Sequence, residues 1–421
     1  MDRPESTTCV IAGGGPAGVM LGLLLARAGV EVTVLEKHAD FLRDFRGDTV
    51  HASTIRLLDE LGLGEGFRAL PQSKLSNFRL PVGGDETVVL ADFGLLKPPY
   101  NYVAMVPQWD LLKFLVAAAR QEPAFTLRMN TEATALLHDD GGKVTGVAYR
   151  TRDPETGETT GSGELSAELT VACDGRSSAL REQAGLVPHE FPVPFDTWWF
   201  RLPRRDEEHE QLASIVPRFA GSDVLLSLAR KDYYQIAYIA EKGTDPQLRR
   251  EGVESFRARV TRLRPDLADR VSEISSMDDL HFLDVKLNRL KEWHRPGLLL
   301  LGDAAHAMSP AGGVGINLAV QDAVAAAARI AIPLLAGALT DADLASVRRR
   351  RWLPTVLLQT MQLLLHKVIF GPAVTGQRAG APGPLVFAAR HIPRFQKVPA
   401  LLIAFGPLPE HAPAFARRQP G

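Results

Sequence analysis

At 421 residues, 45% of them hydrophobic and 23% charged, the chain has room for two or three domains and the composition of an ordinary soluble globular protein. A net charge of -1 leaves no basic excess to neutralise phosphates, which argues against nucleic acid as the main partner. Only two cysteines occur, Cys9 and Cys173, so neither a disulfide framework nor a cysteine-based metal site is expected, and a reducing, cytoplasmic setting fits.

The first recognisable unit is "CVIAGGGPAGVMLGLLLARAGVEVTVLEKH", which reads as strand, glycine turn, helix and second strand. Its uncharged run from Cys9 to Ala26 ends in Ala26-Arg27-Ala28 and imitates a signal peptide. The acidic residues Asp2 and Glu5 before it and the glycines within it disfavour that reading, and no other segment approaches the length of a membrane span. Gly13, Gly15 and Gly18 fill the G-x-G-x-x-G template: the first allows the tight turn, the second a close approach to a pyrophosphate, the third close packing of helix on strand. Pro16 and Ala17 belong to the same turn. Glu36 closes the second strand, eighteen residues after Gly18, where a carboxylate can take the hydroxyls of an adenosine ribose; Lys37 lies beside it. A solvated surface charge is the alternative for Glu36. No second glycine motif follows a strand, and no C-x-x-C pair occurs, so one dinucleotide is housed and any second one visits.

Further along, the polar stretch Thr151 to Glu164 predicts a hairpin loop, and Arg204 to Glu210 marks another change of composition. In "ACDGRSSALR", Asp174 can cap a short helix starting near Ser177 with Arg181 pairing back, or it can touch a nucleotide directly. The segments "DTWWFRL", "YYQIAYIA" and "LHFLDVKL" are aromatic and alternating, as expected of a sheet with one wet face and one covering a cavity. Trp198, Phe200, Tyr234 and Tyr238 are candidates to line an aromatic pocket, with core packing as the alternative, because the sequence does not fix which face turns inward.

In "LLLLGDAAHAMSPAGGVGINLAVQDA" four leucines form a short buried strand that delivers Asp303 to its carboxyl end, where open α/β sheets bind ligands. Gly312, Gly313 and Gly315 leave backbone N–H groups uncovered, and helical spacing from about Gly315 to Leu335 aims a helix start at the same spot. His306 and Asp303 lack a third ligand nearby, so no metal is expected and His306 reads as a structural hydrogen-bonder. The last long helix carries Arg348 to Arg351 and apolar Leu353, Leu357, Met361, Leu364 and Leu365, with Pro354 expected to break or bend it. Packing on its own domain with the arginines solvated is one reading, and lying on a membrane surface the other.

Three segments together resemble the flavoprotein aromatic hydroxylase family, single-component FAD monooxygenases of the para-hydroxybenzoate hydroxylase type. They are Gly13 to Glu36; the D-G-x-x-S-x-x-R motif of Asp174, Gly175, Ser178 and Arg181; and the G-D motif of Gly302, Asp303, His306 and Pro310. Their order and separation match over about residues 8 to 340. The resemblance implies an α/β fold, α+β overall: a Rossmann-like FAD-binding domain (1-75, 104-186, 291-340), an inserted mixed or antiparallel β-sheet substrate domain (76-103, 187-290) and a helical C-terminal cap (341-421). It further implies that Glu36 holds the adenosine ribose, Asp303 the ribityl chain or the neighbouring ribose, and Asp174 FAD or passing NAD(P)H.

Arg46 would stand on the flavin side, Gln108 by the phosphate or ribityl region, and Thr134 on a strand whose backbone meets adenine. Gly313, Gly315, Ile316 and Asn317 would stabilise negative charge near the flavin N1, with Pro310 beside the ring edge where oxygen reacts. Pro310 and Gly313 are thus the expected catalytic group. The implied chemistry is stepwise: NADPH or NADH reduces bound FAD, O2 adds at C4a, and the hydroperoxide hydroxylates an aromatic or polyketide-like small molecule. His51, Tyr234 and His281 are candidates for a base. A halogenase or isoprenoid double-bond reductase on the same fold is the alternative, though the W-x-W segment of flavin halogenases is missing; a non-enzymatic flavin binder is another.

Overall fold

A computed structural model describes residues 5–41, 49–83, 86–205, 214–230, 232–377 and 380–419. The first apolar run becomes strand β1 (Glu5–Ala12), and the glycine turn leads into helix α1 (Pro16–Arg27), where Pro16 occupies the first turn and its missing N–H costs nothing. Strand β2 (Val32–Leu35) follows, then helices α2 (Ala52–Glu60) and α3 (Gln108–Ala119), and strands β3 (Phe125–Arg128), β4 (Thr131–His138), β5 (Val144–Arg152) and β6 (Thr159–Ala172). The four leucines supply β11 (Leu298–Leu300), after strands β7 (Phe195–Pro203), β8 (Asp223–Ala229), β9 (Tyr233–Glu241) and β10 (His281–Leu283).

Strands β3, β2, β1, β6 and β11 lie side by side and parallel. Their register puts Arg128 opposite Leu35, Leu35 opposite Ala12, Ala12 opposite Ala172 and Ala172 opposite Leu300. All five carboxyl ends therefore stop on one line, and the crevice beyond such a line is where a doubly wound sheet binds its ligand. Strands β4 and β5 extend the sheet antiparallel from β6. Most of the polar stretch expected to be loop is strand: only residues 153 to 158 turn, with Asp153 Oδ1 accepting from the N–H groups of Glu155 and Thr156. Polar residues fill these strands because the hairpin stands out into solvent.

Helix α5 (Gly315–Leu335) packs against α1 and is buried along most of its length. Two segments, Ala311–Leu335 and Asp341–Val374, are long and apolar enough to cross a membrane by length and composition, contrary to the expectation that only the amino-terminal run comes close; the most apolar window of the first is 72% buried and serves the core, that of the second 39%. Helix α6 (Asp341–Leu365) continues past Pro354 and is not broken there. The expected division of its side chains fails at particular positions and not throughout: Arg349 is exposed and Leu358 buried, in line with it. Arg351 is buried, whereas Leu353, Leu357 and Leu364 are 50%, 43% and 61% exposed. The buried arginine has carboxylate partners, Asp322 Oδ1 at 3.0 Å and Glu410 Oε1 at 3.3 Å, that the local sequence cannot reveal. A short helix α7 (Lys397–Ala404) then returns over α2.

A separate sheet runs β8-β9-β7-β10, antiparallel throughout, with Arg218–Ala220 at one edge. Helix α4 (Asp245–Leu263) covers one face. Trp198, Phe200, Tyr234 and Tyr238 all point into that α4-covered core, which favours the core-packing alternative for these four over a place in a substrate pocket. Side chains on a strand alternate, and the wall turned toward the parallel-sheet half is the other set: Phe195, Thr197 and Trp199 on β7, with Ala237 and Ile239 on β9. These share an apolar cluster with Ala52, Val103 and Met105. Arg46 lies outside the described residues, as does the charged stretch from Arg204 to Glu210 beyond its first two members, Arg204 and Arg205.

Candidate active site

The glycine turn is built for close contact at two positions and for open space at a third. A Cβ on Gly13, where φ is 108°, would come within 2.3 Å of the Cys173 carbonyl oxygen, and one on Gly18 within 2.0 Å of the Gly13 carbonyl oxygen. A Cβ on Gly15 would meet nothing within 4 Å. The first and third glycines thus lock β1, β6 and α1 together, and the second faces the room a pyrophosphate needs. Ala17, in the first turn of α1, abuts Gly302 from the far motif. Glu36 is buried: its Oε2 accepts from Gly14 N at 2.9 Å and its Oε1 from His38 N at 3.0 Å. It is no solvated surface charge, while its neighbour Lys37 is exposed.

The segments after β6 and β11 are stitched to each other. Arg176, a residue the motif leaves variable, donates from Nε to Asp303 Oδ2 at 3.0 Å and from a terminal nitrogen to Met308 O at 3.3 Å. Arg181 does not hydrogen-bond back to Asp174; it reaches Ala304 O at 3.1 Å and Arg176 O at 2.8 Å. Ser178 caps the short helix Ala179–Gln183, and Asp174 Oδ2 accepts a second bond from Leu180 N at 3.2 Å. Asp174 Oδ1 is buried with no partner among the described residues, and burial pushes this carboxyl above its usual range. An unmatched acceptor at the end of a parallel strand is the condition a ligand hydroxyl or N–H relieves. Asp303 keeps a third of its side chain exposed.

The glycine loop is clamped from both sides. Gly312 and Gly313 have φ of 81° and 62°, and a Cβ on Gly313 would lie 2.5 Å from Thr49 Oγ1. That hydroxyl donates to Gly313 O at 2.8 Å. The Asn317 side chain is spent on the same joint, donating to Thr49 O at 3.0 Å and accepting from His51 N and Thr54 Oγ1, both at 2.8 Å. What Gly315, Ile316 and Asn317 keep for a ligand are backbone N–H groups in the first turn of α5, which have no intrahelical acceptor. Behind the loop, Gln362 of α6 accepts from Ser309 N and donates to Ser309 O and Ala311 O. His366 lies 2.9 Å from Ser309 Oγ by Nε2, and burial pushes its imidazole down to about 4. Pro310 is therefore fixed between Ser309 and Ala311, half-buried.

His306 is a structural residue. Its Nε2 donates to Asp322 Oδ2 of α5 at 2.6 Å rather than approaching Asp303. Gln108 is half-buried at the start of α3, and Trp109 beside it sits 4.9 Å from the Arg201 guanidinium of β7. The backbone bond from β4 to Glu36 comes at Thr131; at Thr134 the carbonyl already accepts from Gln183. Of the candidate bases, His51 is buried with Nδ1 donating to Ile403 O, Tyr234 faces α4, and His281 is exposed. Arg176, Thr49, Gln362 and His366 escaped the sequence reading because each acts across 50 or more residues on a partner in another segment.

A strand-end crevice, a glycine cradle and an unmatched carboxylate define a dinucleotide-binding oxidoreductase of the doubly wound class. Residues 6–352 match the FAD binding domain family, and the chain belongs to it. It is 32% identical over 390 residues to 6-methylpretetramide 4-monooxygenase of Streptomyces rimosus, covering 91% of this chain and 88% of the relative. It is 27% identical over 354 residues to para-nitrophenol 4-monooxygenase of Pseudomonas sp. (strain WBC-3), covering 81% and 82%. The crystal structure of p-nitrophenol 4-monooxygenase PnpA from Pseudomonas putida shares the fold, with a TM-score of 0.73 at 21% identity over 94% of this chain and 97% of that one. The protein is an FAD-dependent monooxygenase. The residues present fit FAD: open space at Gly15, a free acceptor on Asp174 and a part-exposed Asp303 line one crevice.

Proposed function

We propose that the enzyme uses NADPH or NADH and O2 to hydroxylate an aromatic or polyketide-like small molecule in the cytoplasm. When bound, FAD supplies the redox chemistry, with oxygen activated at its C4a position. The observation that carries this reading is the loop from Pro310 to Asn317 at the nucleotide crevice, held by Thr49 on one side and from behind by His366, which bonds Ser309 and packs its ring on Phe195 of β7. The N–H groups at the start of α5 suit the negative charge of a reduced flavin, because a helix start stabilises anions. Pro310 offers no N–H of its own at the ring edge. Glu36 orients the adenosine end, Asp303 the ribityl end, and Asp174 Oδ1 a hydroxyl or N–H of FAD or of visiting NAD(P)H. Gln108 stands on the flavin side.

Residues 1-75, 104-186 and 291-340 hold the cofactor, 76-103 and 187-290 wall the substrate, and 341-421 cap the loop from behind. That wall excludes water, which protects an activated oxygen from being lost as peroxide. The names of the relatives, which specify 6-methylpretetramide and para-nitrophenol as substrates, support an aromatic substrate here. The test is direct. Purified protein should be yellow, bleach with NADPH or NADH and regain colour in air, faster with a phenolic ligand and with an oxygenated product by mass spectrometry. Products that require halide would instead favour a halogenase, and stable flavin without turnover a flavin binder.

A further inference from the structure

The carboxyl-terminal cap carries a charge pattern found nowhere else in the chain. From residue 344 to residue 409 there are nine arginines and lysines and no aspartate or glutamate, in a chain that holds 49 acidic residues and has a net charge of -1. Arg350 and Arg351 find Glu410 and Arg390 finds Glu86, both acids lying outside this run. Arg348, Arg349, Lys367, Arg394 and Lys397 have no carboxylate partner among the described residues. The same region exposes apolar side chains in an ordered way. Arg349, Leu353, Leu357, Thr360 and Leu364 all face solvent, and their helical spacing puts them in one stripe about 80° wide along α6. Helix α7 shares an apolar cluster with α6 through Leu402 and Met361 and exposes Val398 and Leu401. The helix Gly383–His391, joined to the end of α6 through Leu385 and Leu365, exposes Phe387.

We infer that the outer face of this cap docks on a membrane surface rich in anionic lipid, with the leucine stripe of α6 in the headgroup layer and the unpaired arginines and lysines on lipid phosphates. Helix α6 does not leave the protein to span the bilayer, because its other sides are spent inside the fold. Arg351 bonds Asp322, Gln359 the Asn288 carbonyl, and Gln362 the carbonyls of Ser309 and Ala311. Only the outer stripe is free to enter lipid, which is the geometry of an interfacial helix: apolar residues sink past the headgroups while basic ones meet negative charge. A second copy of the chain would also bury the leucines. A two-fold contact of this face on itself, however, sets one acid-free surface against another, with Arg349 and Lys367 uncompensated on both sides. Anionic lipid meets the charge and the apolar stripe together. Neither flavin nor substrate enters this assignment, so it stands apart from the hydroxylase reading.

The experiment floats the FAD-loaded enzyme with vesicles of phosphatidylcholine alone and with vesicles of equal parts phosphatidylcholine and phosphatidylglycerol. The enzyme should rise with the second kind and not with the first, and should be released at about 1 M salt, where charges are screened beyond about 3 Å. Arg349→Gln and Lys367→Gln should each weaken binding about fivefold. Leu357→Gln combined with Leu364→Gln should weaken it about tenfold or more. All four side chains face solvent, so melting temperature and FAD content should stay as they are, and lost binding is then not a lost fold. The inference is overturned if the enzyme stays behind with anionic vesicles at low salt, if it rises equally with both kinds, or if the leucine variant binds within twofold of the original, since charge alone would then be adsorbing. It is overturned too if the enzyme sediments as a dimer that the leucine variant turns into a monomer, because a second copy would then cover the stripe.

Discussion

Gly15 and Gly18 stand three residues apart in one motif and should fail in opposite ways when replaced by alanine. At Gly18 the new methyl group would strike the Gly13 carbonyl at 2.0 Å, so the backbone must move and the fold suffers by about 2 kcal/mol or more. At Gly15 it meets only open space, so stability should stay within about 0.5 kcal/mol. Flavin retention should fall in that variant all the same, because the methyl group stands where a pyrophosphate must come close. Denaturant melts of the flavin-free proteins, paired with FAD titrations, separate the two; a Gly15→Ala protein that keeps full FAD affinity would remove the pyrophosphate from this turn. Asp303→Ala should likewise lose flavin and keep its fold, since its ion-pair partner Arg176 is itself part-exposed. These roles were readable from the sequence because each glycine answers to a local backbone need. Arg176 was not, because nothing in a ten-residue motif says that its side chain crosses 127 positions to Asp303. The tryptophan pair shows the same boundary: alternation was plain in Asp196 to Leu202, but telling which of Trp198 and Trp199 packs under α4 required knowing which face α4 covers.

At the scale of elements, spacing predicted α5 from about Gly315 to Leu335, where it lies, because its apolar stripe and flanking glycines are local signals. Helix α6 was located correctly and its exposure misjudged. Four arginines in a row look solvated, yet Arg351 closes a buried chain from His306 through Asp322 to Glu410 near the carboxyl end. That chain binds the G-D segment, α5, α6 and the closing segment into one block. Arg350 also reaches Glu410 at 2.7 Å, from a more exposed position. Replacing Arg351 by methionine would fill the space and leave Asp322 and Glu410 short of a cation. Loss of one partner of a buried pair costs about 3–5 kcal/mol, and His306 retains part of the compensation for Asp322, so a loss near the lower end is expected. Arg349→Met, on the exposed face, should change stability by no more than about 0.5 kcal/mol. Urea midpoints compare the two directly, and equal midpoints would mean that the buried chain holds nothing together.

Over the whole molecule, the parallel half was legible because its strands and turns obey short-range rules, whereas the joints between halves were not, since they depend on side chains from distant segments. Two of those joints are buried histidines. His51 ties the start of α2 to Ile403 of α7 at 2.6 Å, and His366 ties the end of α6 to Ser309 at 2.9 Å while its ring packs edge-on against Phe195 of β7 at 5.3 Å. Burial lowers both from 6.5 to about 4. An unfolded chain takes up a proton on each below pH 6.5, and the folded chain resists until about pH 4. The stability these neutral rings allow is therefore complete above pH 6.5 and drains away as pH falls through that window, at up to about 1.4 kcal/mol per pH unit for each. The flavin-free protein should thus melt at a clearly lower temperature at pH 5 than at pH 7. Carboxylates such as Asp322, whose pairing holds its carboxyl below the usual range, act at more acid pH; Asp174, raised by burial, acts in the opposite sense to the histidines, and His294, lowered by burial, adds to their slope. Replacing both rings by glutamine should lower the melting temperature at pH 7 and flatten its dependence between pH 6.5 and 5. A double variant as steep as the original would place the sensitivity elsewhere, and the two joints would then be ordinary packing.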